Sequence, residues 1–191
     1  MSTELLAGRY DAALLDLDGT IYEGGRPVPG ALEALTEAGL PMLFVTNNAS
    51  RSPETVAKQL RSLGYDCTGD DVMTSAQAAI EMAGGIIPEG SKVLVLGAQS
   101  FRDLATEAGY ELVDSADDEP AAVFQGHNPD TNWAMLSEAA LAIARGATYL
   151  ASNLDTTLPM ERGLLVGNGS MVAAHTQTGD THVRHGEAVR E

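Results

Sequence analysis

Two carboxylates follow the first apolar run of the chain at a spacing that suits phosphate chemistry. Asp16 and Asp18 come directly after residues 12–15 and are followed by Gly19 and Thr20. Because side chains alternate along a strand, both carboxylates are expected on the same side. Parallel α/β sheets bind ligands beyond the carboxyl ends of their strands, and Mg²⁺ is usually held by one or two carboxylates together with phosphate oxygens. In that role Asp16 would attack phosphorus and Asp18 would serve as acid and base; the alternative is a turn with capping aspartates.

A second polar group follows the next apolar run, residues 42–45. Thr46, Asn47 and Asn48 carry a hydroxyl and two amides, which can hydrogen-bond phosphate oxygens without adding charge. Such residues are also ordinary turn formers, so this run is weak by itself. Its place one helix after the paired aspartates makes it informative.

The two runs together resemble the first and second motifs of the haloacid dehalogenase (HAD) superfamily. The matching residues are Asp16-Leu17-Asp18-Gly19-Thr20 and Thr46-Asn47. Within the superfamily the chain is most similar to subclass IIA, which includes NagD-like and 4-nitrophenyl phosphatases, and there to the actinobacterial glycerol-3-phosphate phosphatases. The resemblance implies an α/β fold, with a HAD Rossmann-like parallel-sheet core, incomplete here, and an inserted α/β cap domain.

Alternating strand and helix signals along the chain favour a parallel sheet covered by helices. The predicted strands are 12–15, 42–45, 92–96, 121–124 and 149–151, and the predicted helices are 31–38, 53–63, 76–83, 101–108 and 133–144. The segment 22–30 resembles the flap over HAD active sites and is equally well explained as a connector. We expect three regions: 1–83, the N-terminal part of the core; 84–170, the cap; and 171–191, an altered or disordered tail.

The resemblance implies a Mg²⁺-dependent phosphatase of small phosphorylated metabolites, such as glycerol phosphate or phosphoglycolate, that works through an aspartyl-phosphate. The implied catalytic residues are Asp16 and Asp18, which are also the implied metal ligands. The implied phosphate and substrate contacts are Gly19, Thr20, Thr46, Asn47, Asn48, Asn153 and Asp155. Asn153 and Asp155 are equally well explained as an Asx turn at a strand end. The glycines of 163–169 resemble the family's return from cap to core and are equally well explained as plain turns.

The chain departs from the family pattern after the cap. The family's third motif is a lysine in a Gly-Lys-Pro context and its fourth is a strand ending in Gly-Asp, whereas the only lysines are Lys58 and Lys92. Gly179-Asp180 has the letters of the fourth motif, but no apolar run precedes it. We therefore expect a shortened or altered chain whose first strand has an unpaired apolar edge. Such a chain would turn over little or nothing; the alternative function is a non-catalytic remnant or phosphate-binding module.

The composition is strongly acidic, with 27 acidic and 11 basic residues and a net charge of −16. This charge disfavours nucleic acid and anionic membranes as partners. No apolar run approaches the roughly 18 residues of a membrane-spanning helix, and the N-terminus does not resemble a signal peptide. The single cysteine, Cys67, excludes an internal disulfide. We expect a cytoplasmic protein whose partner is a small phosphorylated metabolite, and the resemblance adds a homodimer through the cap as one alternative.

Overall fold

The computed structural model describes residues 6–160, 162–176 and 183–185, and these divide into two compact units. The first unit contains the described part of Met1–Thr46 and the segment Pro53–Met73. The second unit contains Asn47–Ser52 and the described part of Thr74–Arg190. No helix within these described ranges is long and apolar enough to cross a membrane.

The first unit is built on a parallel pair of strands. Its elements are β1 (Ala13–Asp16), β2 (Tyr22–Glu23), β3 (Arg26–Pro27), α1 (Ala31–Ala38), β4 (Met42–Thr46) and α2 (Pro53–Ser62), with β5 (Val72–Thr74) at the boundary between the units. β1 pairs in parallel with β4, and the sheet order is β1-β4-β5. Within the described residues β1 is thus an edge strand, and its Leu14 side chain is 70% exposed, which agrees with the expected apolar edge.

The helix α2 anchors the end of β1 through its buried face. Pro53 occupies the first helical position, where its missing N–H costs nothing. Val56, Ala57 and Leu60 follow at helical spacing and are almost fully buried. They pack in one cluster with Leu17, the residue between the two aspartates. This packing holds the backbone that carries both carboxylates.

The second unit is a five-stranded parallel sheet with helices on both faces. Its strands, in spatial order, are β12 (Val183–His185), β9 (Thr148–Ala151), β8 (Ala122–Gln125), β6 (Lys92–Leu96) and β7 (Glu111–Val113). Its helices are α3 (Ser75–Gly84), α4 (Gln99–Glu107), α5 (Trp133–Ala144) and α6 (Asn168–Thr176), and β10 (Thr157–Met160) pairs with β11 (Gly163–Val166) as a hairpin. Val93 and Val95 of β6 pack in a cluster with α3 and α4, whereas Leu94 and Leu96 pack in a cluster with α5. This alternation gives the sheet an apolar layer on each face.

The helix α3 belongs to the second unit, although the sequence analysis placed it in the first region. Ala76, Ala79 and Ala83 are fully buried and share a cluster with Val93 and Phe101. Small side chains on one face of α3 permit its close approach to the five-stranded sheet, and α3 packs against that sheet. The second unit thus contains Asn47–Ser52 and continues from Thr74, whereas the expected regions divide at residues 83 and 84.

The C-terminal region contains regular structure that the sequence did not indicate. Helix α6 extends to Thr176, and β12 pairs in parallel with β9. The region expected to be an altered or disordered tail, 171–191, therefore contains regular structure at 171–176 and 183–185. A short polar segment becomes a strand here because a neighbouring strand supplies its hydrogen-bond partners. The remaining tail residues, including Gly179-Asp180, lie outside the described residues.

The segment after β11 approaches the loop before β10 so closely that only glycine fits. A Cβ on Gly167 would overlap the carbonyl oxygen of Asp155, and one on Gly169 would overlap that of Leu154. Gly163, with a φ of 118°, forms the turn of the hairpin. Plain turns therefore explain Gly163 but not Gly167 or Gly169.

Candidate functional site

The side chains of the paired aspartates lie on the same side of the chain at the end of β1. Asp16 and Asp18 are exposed, whereas Leu17 between them is fully buried. This is the alternation of an extended chain. The chain then turns at Gly19, whose φ of 82° lies in the left-handed region and whose N–H donates to the Tyr22 carbonyl at 2.8 Å. Both carboxylates therefore face solvent at the carboxyl end of the strand.

Thr46 lies at the carboxyl end of β4, on the same side of the sheet of the first unit as the carboxyl end of β1. In the parallel register Asp16 is opposite Val45, so Thr46 is level with Leu17. Neighbouring strands are roughly 4.8 Å apart. Thr46 is 3% exposed, whereas Thr20, in the turn after β1, is exposed. The first unit thus places the end of β1 beside the end of β4, where ligand sites of parallel sheets form.

Asn47 and Asn153, two of the predicted contact residues, lie together in the second unit. Asn153 Nδ2 donates to the backbone carbonyl of Asn47 at 2.9 Å, and the Ser75 hydroxyl donates to the same carbonyl at 2.7 Å. The Asn47 side-chain oxygen is buried and accepts no hydrogen bond from the described residues. That oxygen can accept a hydrogen bond from a further donor.

The other two residues of the second unit that are predicted to contact substrate, Asn48 and Asp155, are exposed. The Asn48 side-chain oxygen accepts hydrogen bonds from the backbone N–H and the hydroxyl of Ser50, both at 2.8 Å. Asp155 is exposed, and its N–H donates to Asn153 Oδ1 at 3.2 Å. This last bond is an Asx turn, so the alternative interpretation of Asn153 and Asp155 describes their local geometry. It leaves their predicted contacts with substrate as predictions.

Two residues of this network were missed by sequence reasoning. Ser75 and Asn168 are the first residues of α3 and α6, and at such positions polar residues are expected for capping alone. Asn168 Nδ2 instead donates to the Asn153 carbonyl at 2.8 Å. No signal in the sequence distinguishes this use from an ordinary helix start.

The two lysines of the chain lie on α2 and at the start of β6. Lys58 is an exposed residue of α2. Lys92 opens β6 in the second unit, and its ammonium donates to the Asp118 carbonyl at 3.3 Å. Lys92 therefore lies at the amino end of its strand, the opposite end from that at which parallel sheets bind ligands.

The donors at the end of β1 fit a hard divalent cation. Within the described ranges, no group of three or more His, Cys, Asp and Glu side chains is placed to hold a metal. Mg²⁺ does not require such a cage, because it retains waters and is usually held by one or two carboxylates and substrate phosphates. The exposed pair Asp16 and Asp18 supplies the oxygen ligands that this mode of binding needs.

Comparison with protein families identifies the class of protein. Residues 13–111, just over half of the chain, match the family described as haloacid dehalogenase-like hydrolase. The chain therefore belongs to the haloacid dehalogenase-like hydrolases, as its motifs indicated. The matched region includes both strand ends described above.

The individual relatives are phosphatases. The chain is 47% identical over 175 residues to the D-glycerol 3-phosphate phosphatase of Mycobacterium tuberculosis, covering 91% of this chain and 50% of the relative. The crystal structure of the glycerol phosphate phosphatase from M. tuberculosis in complex with magnesium superimposes with a TM-score of 0.90 at 45% identity, covering 94% of this chain and 55% of that one. The p-nitrophenyl phosphatase from Archaeoglobus fulgidus gives a TM-score of 0.83 at 28% identity, covering 92% and 67%.

These relatives confirm the expected group of phosphatases and the expected α/β fold. The chain spans about half the length of the curated M. tuberculosis relative.

Proposed function

We propose that the chain carries the nucleophile of a Mg²⁺-dependent phosphatase that acts on small phosphorylated metabolites through an aspartyl-phosphate. One observation carries the proposal: the exposed carboxylates of Asp16 and Asp18 share one side at the end of β1, beside the end of β4 at Thr46. In this proposal residues 1–83 form the N-terminal part of the HAD core, and residues 84–170 form the cap. Dimer formation and a cytoplasmic location stay predictions.

In the first step, a carboxylate oxygen of Asp16 attacks phosphorus as the bond from phosphorus to the ester oxygen breaks. The Asp18 carboxyl gives its proton to that oxygen, so that the product leaves as a neutral alcohol. Asp16 now carries the phosphoryl group, and Asp18 is a carboxylate. Solvent exposure of both side chains leaves room for the ester and for the water of the next step.

In the second step, the Asp18 carboxylate takes a proton from a water molecule, and the water oxygen attacks phosphorus. The bond between phosphorus and the Asp16 oxygen breaks, which releases inorganic phosphate and returns Asp16 to a carboxylate. Asp18 is protonated again, so both residues are restored. One residue thus serves as acid and then as base, because it ends each step in the state that the next step requires.

Neutral donors would hold the phosphate. We propose that Thr46 and Asn47 orient its oxygens, with Asn48 and the turn residues Gly19 and Thr20 as further contacts. Hydroxyl and amide donors suit this chain, because its net charge of −16 repels an anionic ester at long range and leaves capture to local groups. Asp155, exposed in the second unit, is proposed to discriminate among substrates.

Asp16 and Asp18 would hold Mg²⁺, Asp16 by its carboxylate and Asp18 by its backbone carbonyl. The bound ion supplies positive charge that offsets the negative charge on the transferring phosphoryl group. The magnesium complex of the M. tuberculosis relative supports this choice of metal.

A phosphate-binding module without turnover is the second candidate, and the position of the lysines favours it. The family's third motif places a lysine against the nucleophile and the phosphate. Lys58 and Lys92 lie instead on α2 and at the start of β6. A chain that relies on these lysines would bind phosphate without stabilising the charge that develops in the reaction.

A phosphate-release screen with Mg²⁺ tests the proposed function over glycerol phosphate, phosphoglycolate, sugar phosphates and nucleotides. The chain is assayed with a separately expressed core segment that carries the family's Gly-Lys-Pro lysine and its Gly-Asp strand, called here the complementing segment. We expect release from small phosphomonoesters, with glycerol phosphate the first choice because the 47% identical relative is named for it. Phosphate binding without release from any ester would instead support the binding module.

The Asp18→Asn variant should lose proton transfer while keeping most of its metal affinity. We expect kcat of the complemented chain to fall by about 10²- to 10⁴-fold, the usual contribution of general acid and base catalysis. Mg²⁺ affinity should change less, because the backbone carbonyl remains. Steady-state kinetics and a Mg²⁺ titration measure the two effects. Loss of Mg²⁺ binding with unchanged proton-dependent steps would contradict the assignment.

A further inference from the structure

The backbone carbonyl of Asn47 is held by two side chains from distant parts of the second unit. Ser75 Oγ donates to it at 2.7 Å from the start of α3. Asn153 Nδ2 donates to it at 2.9 Å from the segment after β9. Ser75 is fully buried and Asn153 is 5% exposed. Because a carbonyl has two lone pairs, two donors satisfy it and set the direction of this peptide.

Asn153 is itself held in place by two further hydrogen bonds. Its Oδ1 accepts the N–H of Asp155 at 3.2 Å, which orients the amide so that Nδ2 faces Asn47. Its backbone carbonyl accepts a hydrogen bond from Nδ2 of Asn168, which is 4% exposed. The donor on the Asn47 carbonyl is therefore part of a buried chain of contacts that extends from α6.

We infer that Asn153 and Ser75 are positioning residues that aim Asn47 and Asn48 at the phosphoryl group, an inference that rests on the proposed function. The peptide between Asn47 and Asn48 is planar and trans, so the Asn47 carbonyl and the Asn48 N–H point in opposite directions. Holding the carbonyl therefore sets the direction of that N–H. Asn153 acts through Asn47 and needs no contact with substrate, in contrast to the contact that the family resemblance implied.

The Asn153→Asp variant tests this role with almost no change of shape. A carboxylate cannot donate to the Asn47 carbonyl, whereas a protonated carboxyl can. Burial raises the pKa of the introduced carboxyl, so donation should return as the pH falls. Asn132→Asp is the matched control, since Asn132 is exposed and its Oδ1 caps α5 by accepting from Ala134 and Met135, as a carboxylate also does.

The first measurement is amide hydrogen exchange by mass spectrometry on the 191-residue chain, expressed as protection factors to remove the intrinsic pH dependence. In Asn153→Asp we expect protection of residues 46–50 to fall at least about tenfold at pH 8, where one hydrogen bond of about 1.4 kcal/mol accounts for that factor, and to recover toward pH 5. Asn132→Asp should match the parent chain at both pH values. Unchanged protection at pH 8, or a loss that is equal at both pH values, overturns the inference.

A second variant decides the case in which Asn153→Asp does not fold. Ser75→Ala removes the other donor without adding charge, and it should lower the protection of residues 46–50 while leaving β6 unchanged. Parent-like protection of 46–50 in this variant would overturn the inference.

The second measurement connects the contact to phosphate. In the complemented chain, Asn153→Asp should raise KM for the best ester several-fold more at pH 8 than at pH 6, with a smaller change in kcat. An unchanged KM beside lowered protection would overturn the positioning role. If the complemented parent chain releases no phosphate from any ester, the proposed function fails, and the exchange data alone decide whether Asn153 holds Asn47.

Discussion

The Asp16→Asn variant of the complemented chain is expected to release no phosphate above background. An amide is a poor nucleophile, so the aspartyl-phosphate does not form, and it is also a poorer metal ligand than a carboxylate. Removal of a catalytic nucleophile can cost about 10⁶-fold in kcat, which places the residual rate below detection. Phosphate release and acid-quench trapping of the phosphoryl-enzyme measure both effects.

The control for this variant is Asp11→Asn, which makes the same substitution at an exposed aspartate in the same unit, before β1. It should keep the parent rate, since residue 11 lies outside the strand end that carries the carboxylate pair. Measurable turnover in Asp16→Asn, with a trapped phosphoryl group still present, would remove Asp16 from its proposed role.

The 191-residue chain without the complementing segment is expected to show no Mg²⁺-dependent hydrolysis above background. Lys92 binds the Asp118 carbonyl in the second unit and Lys58 lies on α2, so neither is proposed as the charge clamp. Loss of one such clamp costs roughly 3 kcal/mol, or 10²-fold or more in kcat. Addition of the complementing segment should restore release, because it brings the lysine and the acidic strand together with a partner for the edge of β1. The measurement is phosphate release with and without the segment.

A variant of the complementing segment is the control for this experiment. A complementing segment whose Gly-Lys-Pro lysine is changed to methionine should bind the chain but restore little turnover. Robust hydrolysis by the purified 191-residue chain alone would falsify the prediction. It would mean that residues such as Lys92, Asp155 or Asp180 provide the missing roles.

The sequence by itself determined the helices and strands whose signals are local. The helices at 31–38 and 133–144 and the strand at 92–96 have the predicted bounds, because each is a largely apolar segment bounded by a glycine or a polar residue. The sequence also determined that the two carboxylates at the end of β1 lie on the same side of the chain. The run Asp-Leu-Asp alternates across the strand, and alternation is a property of the extended backbone itself.

Only the tertiary structure decided which elements pack together and which short segments become strands. β5 and β7 have three residues each, too few to show a period, and they form because a neighbouring strand accepts their hydrogen bonds. The sequence does not show which sheet the alanine face of α3 packs against. Its place in the second unit depends on its contacts with the sheet of that unit.

The same division applies to the candidate site. Residue types identified Asp16, Asp18 and Thr46 as a group, since parallel strands bring their carboxyl ends to one edge. The hydrogen bond from Asn153 to Asn47 joins residues 106 positions apart, and its acceptor is a backbone carbonyl. Every residue has such a carbonyl, so no residue type marks the acceptor, and the contact exists only because the fold brings the two segments within hydrogen-bonding distance.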